Sequence, residues 1–358
     1  MSNPATPIDF ERKAKEAARR INAADVRGPR QVPETPKPTW RDHVFTAADL
    51  QHEKFKPQRA IVPGIVCEGI NLLAGKPKVG KSWAALEIAI ACATGSTCLG
   101  DITPARGKVL YAACEDNKRR LQSRMRKLLG QGVEWPKDLT LATQWERLDK
   151  KGAQHIEEWL SENDDAVLVI LDTLASVKPI RTQQGYLDDY TALEPLHKII
   201  KATTTACLVL HHQRKSEADD PLDTISGTLG LTGAADNAIV LRSGPQGTSL
   251  YVRGREMAQN DYAIRFDKVS CRWSIIGDAQ EVQLSDIRKS ILDVLYDKPN
   301  YLTPKEIATL TGHSPTNVSV RLAQMLAAGQ VWQEDRGHYW HAENHRRRTV
   351  KGGDKRPT

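Results

Sequence analysis

The stretch "LLAGKPKVGKSWAALEIAIA", residues 72–91, decides the fold of this 358-residue chain. It begins as an apolar strand, breaks into glycine and lysine, and resumes as an apolar helix. The break matches G-x-x-x-x-G-K-[ST], with Gly75 and Gly80 followed by Lys81 and Ser82. Such a loop points backbone N–H groups and the positive end of the next helix at phosphate, and a Cβ would block that approach. The pattern therefore predicts that the chain binds a nucleoside triphosphate.

Two residues of the loop have specific expected roles. We expect Lys81 to reach the β- and γ-phosphates of ATP and the Ser82 hydroxyl to bind Mg²⁺. The alternative is a glycine turn with solvated lysines, which the strand before the loop and the helix after it disfavour. The predicted nucleotide-binding residues are Gly75, Lys76, Pro77, Lys78, Val79, Gly80, Lys81, Ser82 and Trp83.

Composition restricts the class of protein. The chain is 40% hydrophobic and 27% charged, and its longest apolar runs have the length of strands. It begins without the apolar core of a secretory signal, so we expect a cytoplasmic protein that does not contact a membrane. Its six cysteines form no C-x-x-C pair, which predicts neither a disulfide framework nor a zinc site. A net charge of +7 weakly favours a polyanionic partner.

Apolar runs alternate with helical patterns from the loop to about residue 276. Predicted strands are 70–74, 108–113, 166–171, 206–211, 237–242, 249–253 and 262–266, and predicted helices are 81–94, 117–129, 152–162, 188–202 and 226–235. Residues 60–75 predict a hairpin that leads into the first strand. The alternation predicts an α/β fold with a mostly parallel central sheet and helices on both faces. The closely spaced last strands predict an antiparallel edge.

Four segments follow from the composition. Residues 1–45 are polar and contain several prolines, which predicts a flexible N-terminal arm, and residues 46–276 form the predicted ATPase domain. In residues 284–342, three helical patterns precede two alternating strands, which is a winged-helix pattern. Residues 343–358 are basic and predict a disordered tail.

Two strands of the predicted sheet end in carboxylates. Asp172 ends "AVLVILD", which we take as the strand next to the phosphate loop, where a carboxylate suits Mg²⁺. Glu115 follows "KVLYAA", and we expect it to polarise the water that attacks the γ-phosphate, with Asp116 as the second choice. The alternatives are a loop-capping role for Asp172 and a helix-capping role for Glu115 or Asp116.

A third strand ends in two histidines. His211 and His212 point to opposite faces of a strand, so they cannot easily share one metal. We expect His211 to hydrogen-bond the γ-phosphate and to pass its loss to the following loop. The alternative is a packed core histidine.

The series "ACED", "VILDTL", "LHHQRK" and "YVRGRE" resembles RecA-like ATPases, in particular the RepA-type hexameric replicative helicases of plasmids and phages. The resemblance covers about residues 46–270. It implies a RecA-like P-loop NTPase that assembles with itself, as a hexamer, on single-stranded DNA, with replication proteins as further partners. In that family the nucleotide lies between subunits, so Arg253 and Arg255 are candidates for touching a neighbour's γ-phosphate.

The same resemblance implies two DNA-facing loops, one after the Asp172 strand and one after the His211 strand. The candidate phosphate contacts are Lys178, Arg181, Arg214 and Lys215. The second loop also carries acidic residues that partly cancel its charge, namely Glu217, Asp219, Asp220 and Asp223. For each basic residue, the alternative is a solvated surface cation.

The winged-helix segment has two possible uses. Its third helical pattern carries Arg321 on a polar face that suits a DNA groove, opposite an apolar stripe. Acids and bases are about equal over residues 285–345, so docking to a protein is an equal alternative.

Three functions compete. The first is a ring-forming ATP-driven motor that moves on single-stranded DNA and unwinds duplex for replication. The second is a RecA- or KaiC-like ATPase switch that acts as a DNA-bound loader or regulator without unwinding. The third is a small-molecule kinase, which would need a lid and an acceptor pocket and which the arginine pair and the winged-helix segment do not support.

Overall fold

The computed structural model describes residue 15 and residues 40–55, 57–180, 186–213, 220–225, 229–244, 247–298, 300–333 and 337–344. The chain divides into two units, Met1–Pro57 and Gln58–Thr358. In the first unit, a 3₁₀ turn at Trp40–His43 precedes helix α1, Ala47–His52. Thr46 and Asp49 cap α1 reciprocally, each side chain accepting the other residue's N–H. Most of the predicted N-terminal arm and tail lies outside the described residues.

Within the described residues of the second unit, nine strands form one sheet. A hairpin of β1 (Ala60–Val62) and β2 (Val66–Cys67) leads into it, as predicted. The nine strands are β3 (Gly69–Gly75), β4 (Lys108–Ala113), β5 (Leu139–Ala142), β6 (Ala166–Asp172), β7 (Ala206–His212), β8 (Asn237–Gly244), β9 (Gly247–Gly254), β10 (Asn260–Asp267) and β11 (Arg272–Asp278). Their spatial order is β11–β10–β9–β8–β3–β7–β6–β4–β5. The six strands from β8 to β5 are parallel and the other pairings are antiparallel, which confirms the predicted class.

Helices cover both faces of the sheet. They are α2 (Lys81–Thr94), α3 (Lys118–Leu129), α4 (Ala153–Glu162), α5 (Leu174–Val177), α6 (Tyr186–Thr191), α7 (Glu194–Ile200) and α8 (Leu229–Ala234). One core cluster joins α2 and α3 to the sheet, for example through Ala89 and Met125. A second cluster joins α4 and α7 to the sheet, for example through Ile156 and Leu196. No helix among the described residues has the length and apolar character of a membrane span.

The structure differs from the predicted elements at both edges of the sheet and in one helix. β5 is absent from the predicted strands, since it is a four-residue edge strand that is mostly only partly buried. β11 is absent from them too, because the amino-acid composition changes from residue 274 onward, which indicates a boundary between domains rather than a strand. The single helix predicted at 188–202 is two helices, α6 and α7. Pro195 lies in the first turn of α7, where its missing N–H is tolerated, so a new helix starts there.

The last part of the chain folds as a winged helix, as predicted. Its elements are α9 (Ala279–Asp297), α10 (Pro304–Thr311), α11 (Pro315–Ala327), β12 (Val331–Gln333) and β13 (Tyr339–His341). Ile291, Ile307 and Leu322 are fully buried at its centre. α9 begins at Ala279 rather than at the predicted Ser285, and Asp278 caps it by accepting two backbone N–H groups.

Replacing Leu322 with alanine should destabilise the winged-helix domain by about 2–4 kcal/mol, because it leaves a cavity in a closed core. Amide hydrogen exchange over residues 304–341 of the full chain would measure this as faster exchange. Val320→Ala is the matched control, since Val320 lies on the same helix and is 53% exposed. Its exchange should stay near that of the wild type. Equal exchange in the two variants would contradict the assigned core.

Candidate active site

The phosphate loop begins where β3 ends, at Gly75, and closes at Gly80 before α2. A Cβ on Gly75 would lie 2.8 Å from the carbonyl oxygen of Leu241 on β8, so the space between the strands admits only glycine. Gly80 has a φ of +110°, which side chains rarely tolerate. Lys76 and Lys78 are exposed on the loop. The first N–H groups of α2, which lack intrahelical acceptors, are therefore available to an anion.

Lys81 lies beneath the loop. It is 6% exposed, and its Nζ donates to the carbonyl oxygens of Gly75 at 2.7 Å and Lys76 at 3.1 Å. Burial lowers the pKa of Lys81, while the Asp172 and Glu115 carboxylates oppose that shift. An ammonium held at this point is suited to meet phosphate oxygens in the loop.

Asp172 ends β6, but β6 is not next to the phosphate-loop strand as the sequence suggested. β7 lies between β6 and β3. The Asp172 carboxylate accepts a hydrogen bond from the Tyr111 hydroxyl at 2.8 Å and another from the Ser82 hydroxyl. Burial raises the pKa of Asp172, and these two hydrogen bonds oppose the rise. Ser82 therefore connects the start of α2 to Asp172 across the intervening strand.

Ser82 and Asp172 present a hydroxyl and a carboxylate oxygen next to each other. These are the hard oxygen donors that Mg²⁺ prefers. Among the described residues, no group of three or more His, Cys, Asp or Glu could hold a metal alone. Mg²⁺ usually needs only one or two protein oxygens because substrate phosphates and water supply the others. The two side chains therefore fit Mg²⁺ that arrives with a nucleotide.

Glu115 has the exposure and the contacts of a group that could orient water. Its side chain is about half exposed, at 52%. Its Oε1 accepts a hydrogen bond from the Thr173 hydroxyl at 2.8 Å and lies 3.6 Å from Nε2 of His212. The carboxylate is thus held on one side and open on the other.

Asp116, the second choice for this role, is occupied by other contacts. Its side chain is only 4% exposed and forms ion pairs with Arg120 at 3.1 Å and Arg124 at 2.6 Å. The cap of α3 is Asn117, whose side-chain oxygen accepts the Arg120 N–H, so neither acid has the helix-capping role that was the alternative. These contacts favour Glu115 over Asp116 as the group that polarises water.

His212, rather than His211, faces Glu115. In the register of β7 against β3, His211 pairs with Ala74 and His212 with Gly75. The sequence predicts that the two rings point to opposite faces of the strand, but the contact of His212 with Glu115 depends on the fold. Sequence reasoning also missed Thr173, which directly follows the predicted Asp172. The sensor role of His211 stays a prediction.

Arg253 and Arg255 lie near the start of β8, whereas the phosphate loop of their own chain lies at the opposite ends of the parallel strands. Gly254 pairs with Asn237 at the start of β8, whereas Gly75 pairs with Leu241, four residues and about 13 Å further along the strand. The Arg253 guanidinium is 3.4 Å from Asp220, and Arg255 donates to the Gly233 carbonyl oxygen at 2.6 Å. Both side chains are at least half exposed.

The structure describes two of the five predicted DNA contacts. Lys178 forms an ion pair with Asp189 at 2.6 Å, so its charge is already partnered. Arg321 lies on α11 and donates to Gln324. Arg181, Arg214 and Lys215 lie outside the described residues, as do Glu217 and Asp219.

Glu115→Gln should lower ATP hydrolysis at least about a hundredfold while nucleotide binding persists, because the amide cannot accept a proton from water. Steady-state hydrolysis and ADP titration would measure the two effects. Asp116→Asn should instead lower thermal stability, since two arginines lose a buried partner, and should retain more activity. If Asp116→Asn were the more damaging change to hydrolysis at equal folding, the assignment would be reversed.

Asp172→Asn should stabilise the nucleotide-free protein at neutral pH while lowering Mg²⁺-dependent hydrolysis by about 10- to 100-fold. The folded-state pKa of Asp172 is raised by burial, so its stabilising contribution is present at low pH and is lost as pH rises through that pKa. The buried charge therefore costs stability at neutral pH, and asparagine removes that cost. Thermal unfolding should show a gain that shrinks as pH falls. A variant less stable than wild type at neutral pH would contradict this.

Solved structures of low sequence identity resemble part of the chain, whereas no curated protein matches it. A solved ATPase domain aligns with a TM-score of 0.46 and 13% identity, covering 58% of this chain and 85% of that one. A DnaB-like replicative helicase, whose structure was described together with its interactions with primase, aligns with a TM-score of 0.45 and 12% identity, covering 58% and 57%. Both TM-scores lie below 0.5, so neither likeness identifies the function of this chain.

Two family models match. A winged helix-turn-helix DNA-binding family covers residues 284–331, which agrees with the fold of that region. An AAA-domain family covers residues 34–218, which is more than half of the chain and includes the phosphate loop, Glu115 and Asp172. The match and the parallel sheet confirm the resemblance to RecA-like P-loop ATPases at the level of the family. This chain belongs to the AAA-domain family and is an ATP-hydrolysing enzyme.

Proposed function

We propose that this ATPase is a DNA helicase or translocase of the RepA type, which works as a ring, as a hexamer, on single-stranded DNA during plasmid or phage replication. The observation that best supports the proposal is the position of Arg253 and Arg255. Both lie toward the ends of the parallel strands that are opposite their own phosphate loop, and their side chains are at least half exposed. A site that needs one of them must take it from a second copy of the chain.

The charges near the loop support the same conclusion. Arg120 and Arg124, on the helix that follows Glu115, are both paired with Asp116. Lys81 is the cation, among these three described residues, that lies beneath the loop without a carboxylate in an ion pair. Phosphoryl transfer spreads negative charge over the γ-phosphate, and a second cation supplied by a neighbour stabilises it. Shared sites of this kind make hydrolysis depend on assembly.

In the proposed cycle, the loop and Lys81 bind the ATP phosphates, and Ser82 and Asp172 hold Mg²⁺. Mg²⁺ would neutralise charge on the phosphates. Glu115, oriented by Thr173, accepts a proton from the attacking water. Arg253 or Arg255 of a neighbouring copy contacts the γ-phosphate.

Loss of the γ-phosphate would be sensed on β7. His212 contacts Glu115, and the backbone N–H of Gln213 donates to the Gly75 carbonyl oxygen at 3.1 Å. The segment after Gln213 is the second predicted DNA loop, so β7 connects the nucleotide to the proposed DNA contacts. The winged-helix family match supports DNA as the partner. We also propose a cytoplasmic location and replication proteins as further partners.

One observation favours the second function, an ATPase switch that loads or regulates without unwinding. Lys178, from the first predicted DNA loop, is paired with Asp189 rather than open to a phosphate. A switch needs assembly and hydrolysis but no translocating loop. The two functions differ in whether DNA drives hydrolysis.

Single-stranded DNA should stimulate ATP hydrolysis, and inactive Glu115→Gln subunits mixed with wild type should reduce activity more than dilution predicts. The physical reason is that a motor on DNA couples hydrolysis between neighbouring sites of the ring, so that one inactive site also slows the others. Strand-displacement assays would follow. If DNA does not change the rate of ATP hydrolysis, and if activity falls only in proportion to the fraction of inactive subunits, the result would favour the switch.

Mixing two inactive variants tests the shared site directly. Without DNA, Glu115→Gln mixed with Arg255→Ala, or with Arg253→Ala, should recover basal hydrolysis that neither has alone, because some interfaces then combine an intact glutamate with an intact arginine. The matched control is Glu115→Gln mixed with Lys81→Ala. Both of those defects lie in the same half of the site, so no recovery is expected. Recovery in the control, or its absence from both test mixtures, would refute the proposed geometry.

A further inference from the structure

Trp273 reaches the phosphate loop from β11, the strand at the far antiparallel edge of the sheet. Its indole Nε1 donates to the Gly80 carbonyl oxygen at 3.3 Å. A Cβ on Gly80 would lie only 2.7 Å from Cζ2 of the indole. The indole therefore packs directly against the glycine that closes the loop, and Trp273 as a whole is 3% exposed.

This contact is made at the turn from which α2 starts. The Gly80 carbonyl oxygen also accepts the backbone N–H groups of Trp83 and Ala84, both at 3.1 Å. It is thus the first acceptor of the helix whose free N–H groups point at phosphate. A displacement of Gly80 would redirect those donors, and the side chains of Lys81 and Ser82 with them.

A second contact joins β11 to α2 about two turns further along the helix. Glu87 is 2% exposed, and its carboxylate accepts the backbone N–H of Trp273 at 2.9 Å and that of Leu99 at 3.2 Å. The Arg272 guanidinium lies 3.6 Å away. Burying a carboxylate without such partners costs free energy. Moving β11 away from α2 would remove one of these partners from Glu87, so the contact keeps β11 against the helix.

Neighbouring aromatic rings hold the indole in its orientation. The ring centroids of Phe266 and Trp273 are 4.9 Å apart, and those of Trp83 and Phe266 are 6.5 Å apart. Phe266 therefore lies between Trp273 and Trp83 of the loop segment. With its backbone fixed by Glu87 and its ring packed by Phe266, Trp273 meets Gly80 as a rigid support.

We propose that Trp273 is a positioning residue for nucleotide binding, which holds Gly80 and the start of α2 in the conformation that receives phosphate. The proposal rests on the nucleotide-binding function of the loop. Trp273 acts through Gly80 and does not itself contact the nucleotide.

The test is the affinity for ADP, measured by isothermal titration calorimetry on the full chain with Trp273→Phe. Phenylalanine retains an aromatic ring but loses the N–H donor, so binding should weaken about two- to tenfold, the usual net effect of one hydrogen bond. The matched control is Trp145→Phe, which removes an indole bond of the same kind, from Nε1 to the Gly152 carbonyl oxygen at 3.0 Å. The control should bind ADP as the wild type does, at a similar melting temperature.

The outcomes separate the two levels of the inference. If Trp273→Phe binds ADP as tightly as wild type, the positioning role is wrong, even where its melting temperature falls. If the wild type does not bind ADP, the nucleotide-binding function itself fails, and the proposal with it. Hydrogen exchange of the wild type needs no variant: ADP should protect residues 272–278 as well as 75–83. Protection confined to the loop would overturn the proposal.

Discussion

Two buried charges beneath the phosphate loop, the ammonium of Lys81 and the carboxylate of Asp172, are the constraint on which the rest of the structure depends. Neither is stable in an apolar interior without partners. Lys81 is satisfied by loop carbonyl groups, and Asp172 by hydroxyl groups from Tyr111 and Ser82. These partners come from separate strands and one helix start. A sheet whose parallel strands have their carboxyl ends on the same side brings these partners together.

The strands whose carboxyl ends form the site were the most predictable from sequence. The loop motif is local, and β3, β4, β6 and β7 are buried on both faces, so each appears as a nearly continuous apolar run. β5 and β11 lie at the two edges and lack such runs. For β11 the important contacts are with Glu87 and Gly80, distant in the chain, and nothing local in the sequence indicates them.

The site residues show the same division. Residue types and strand ends located Glu115, Asp172 and the histidine pair. The choice between adjacent residues depended on contacts that only the fold provides. Two arginines of α3 form ion pairs with Asp116, and His212 lies 3.6 Å from Glu115, whereas the sensor role of His211 stays a prediction. The separation of Asp172 from the loop by one strand is likewise a property of strand order, which a linear pattern does not encode.

The junction of β11 with α9 has a mechanical consequence. β11 ends at Asp278 and α9 begins at Ala279, so a strand braced against the ATP site becomes the first helix of the winged domain without an intervening hinge. A 19-residue helix is about 28 Å long. A tilt of roughly ten degrees at its base would therefore carry its far end through about 5 Å. In such an arrangement a small adjustment of β11 would shift the winged domain by a larger distance.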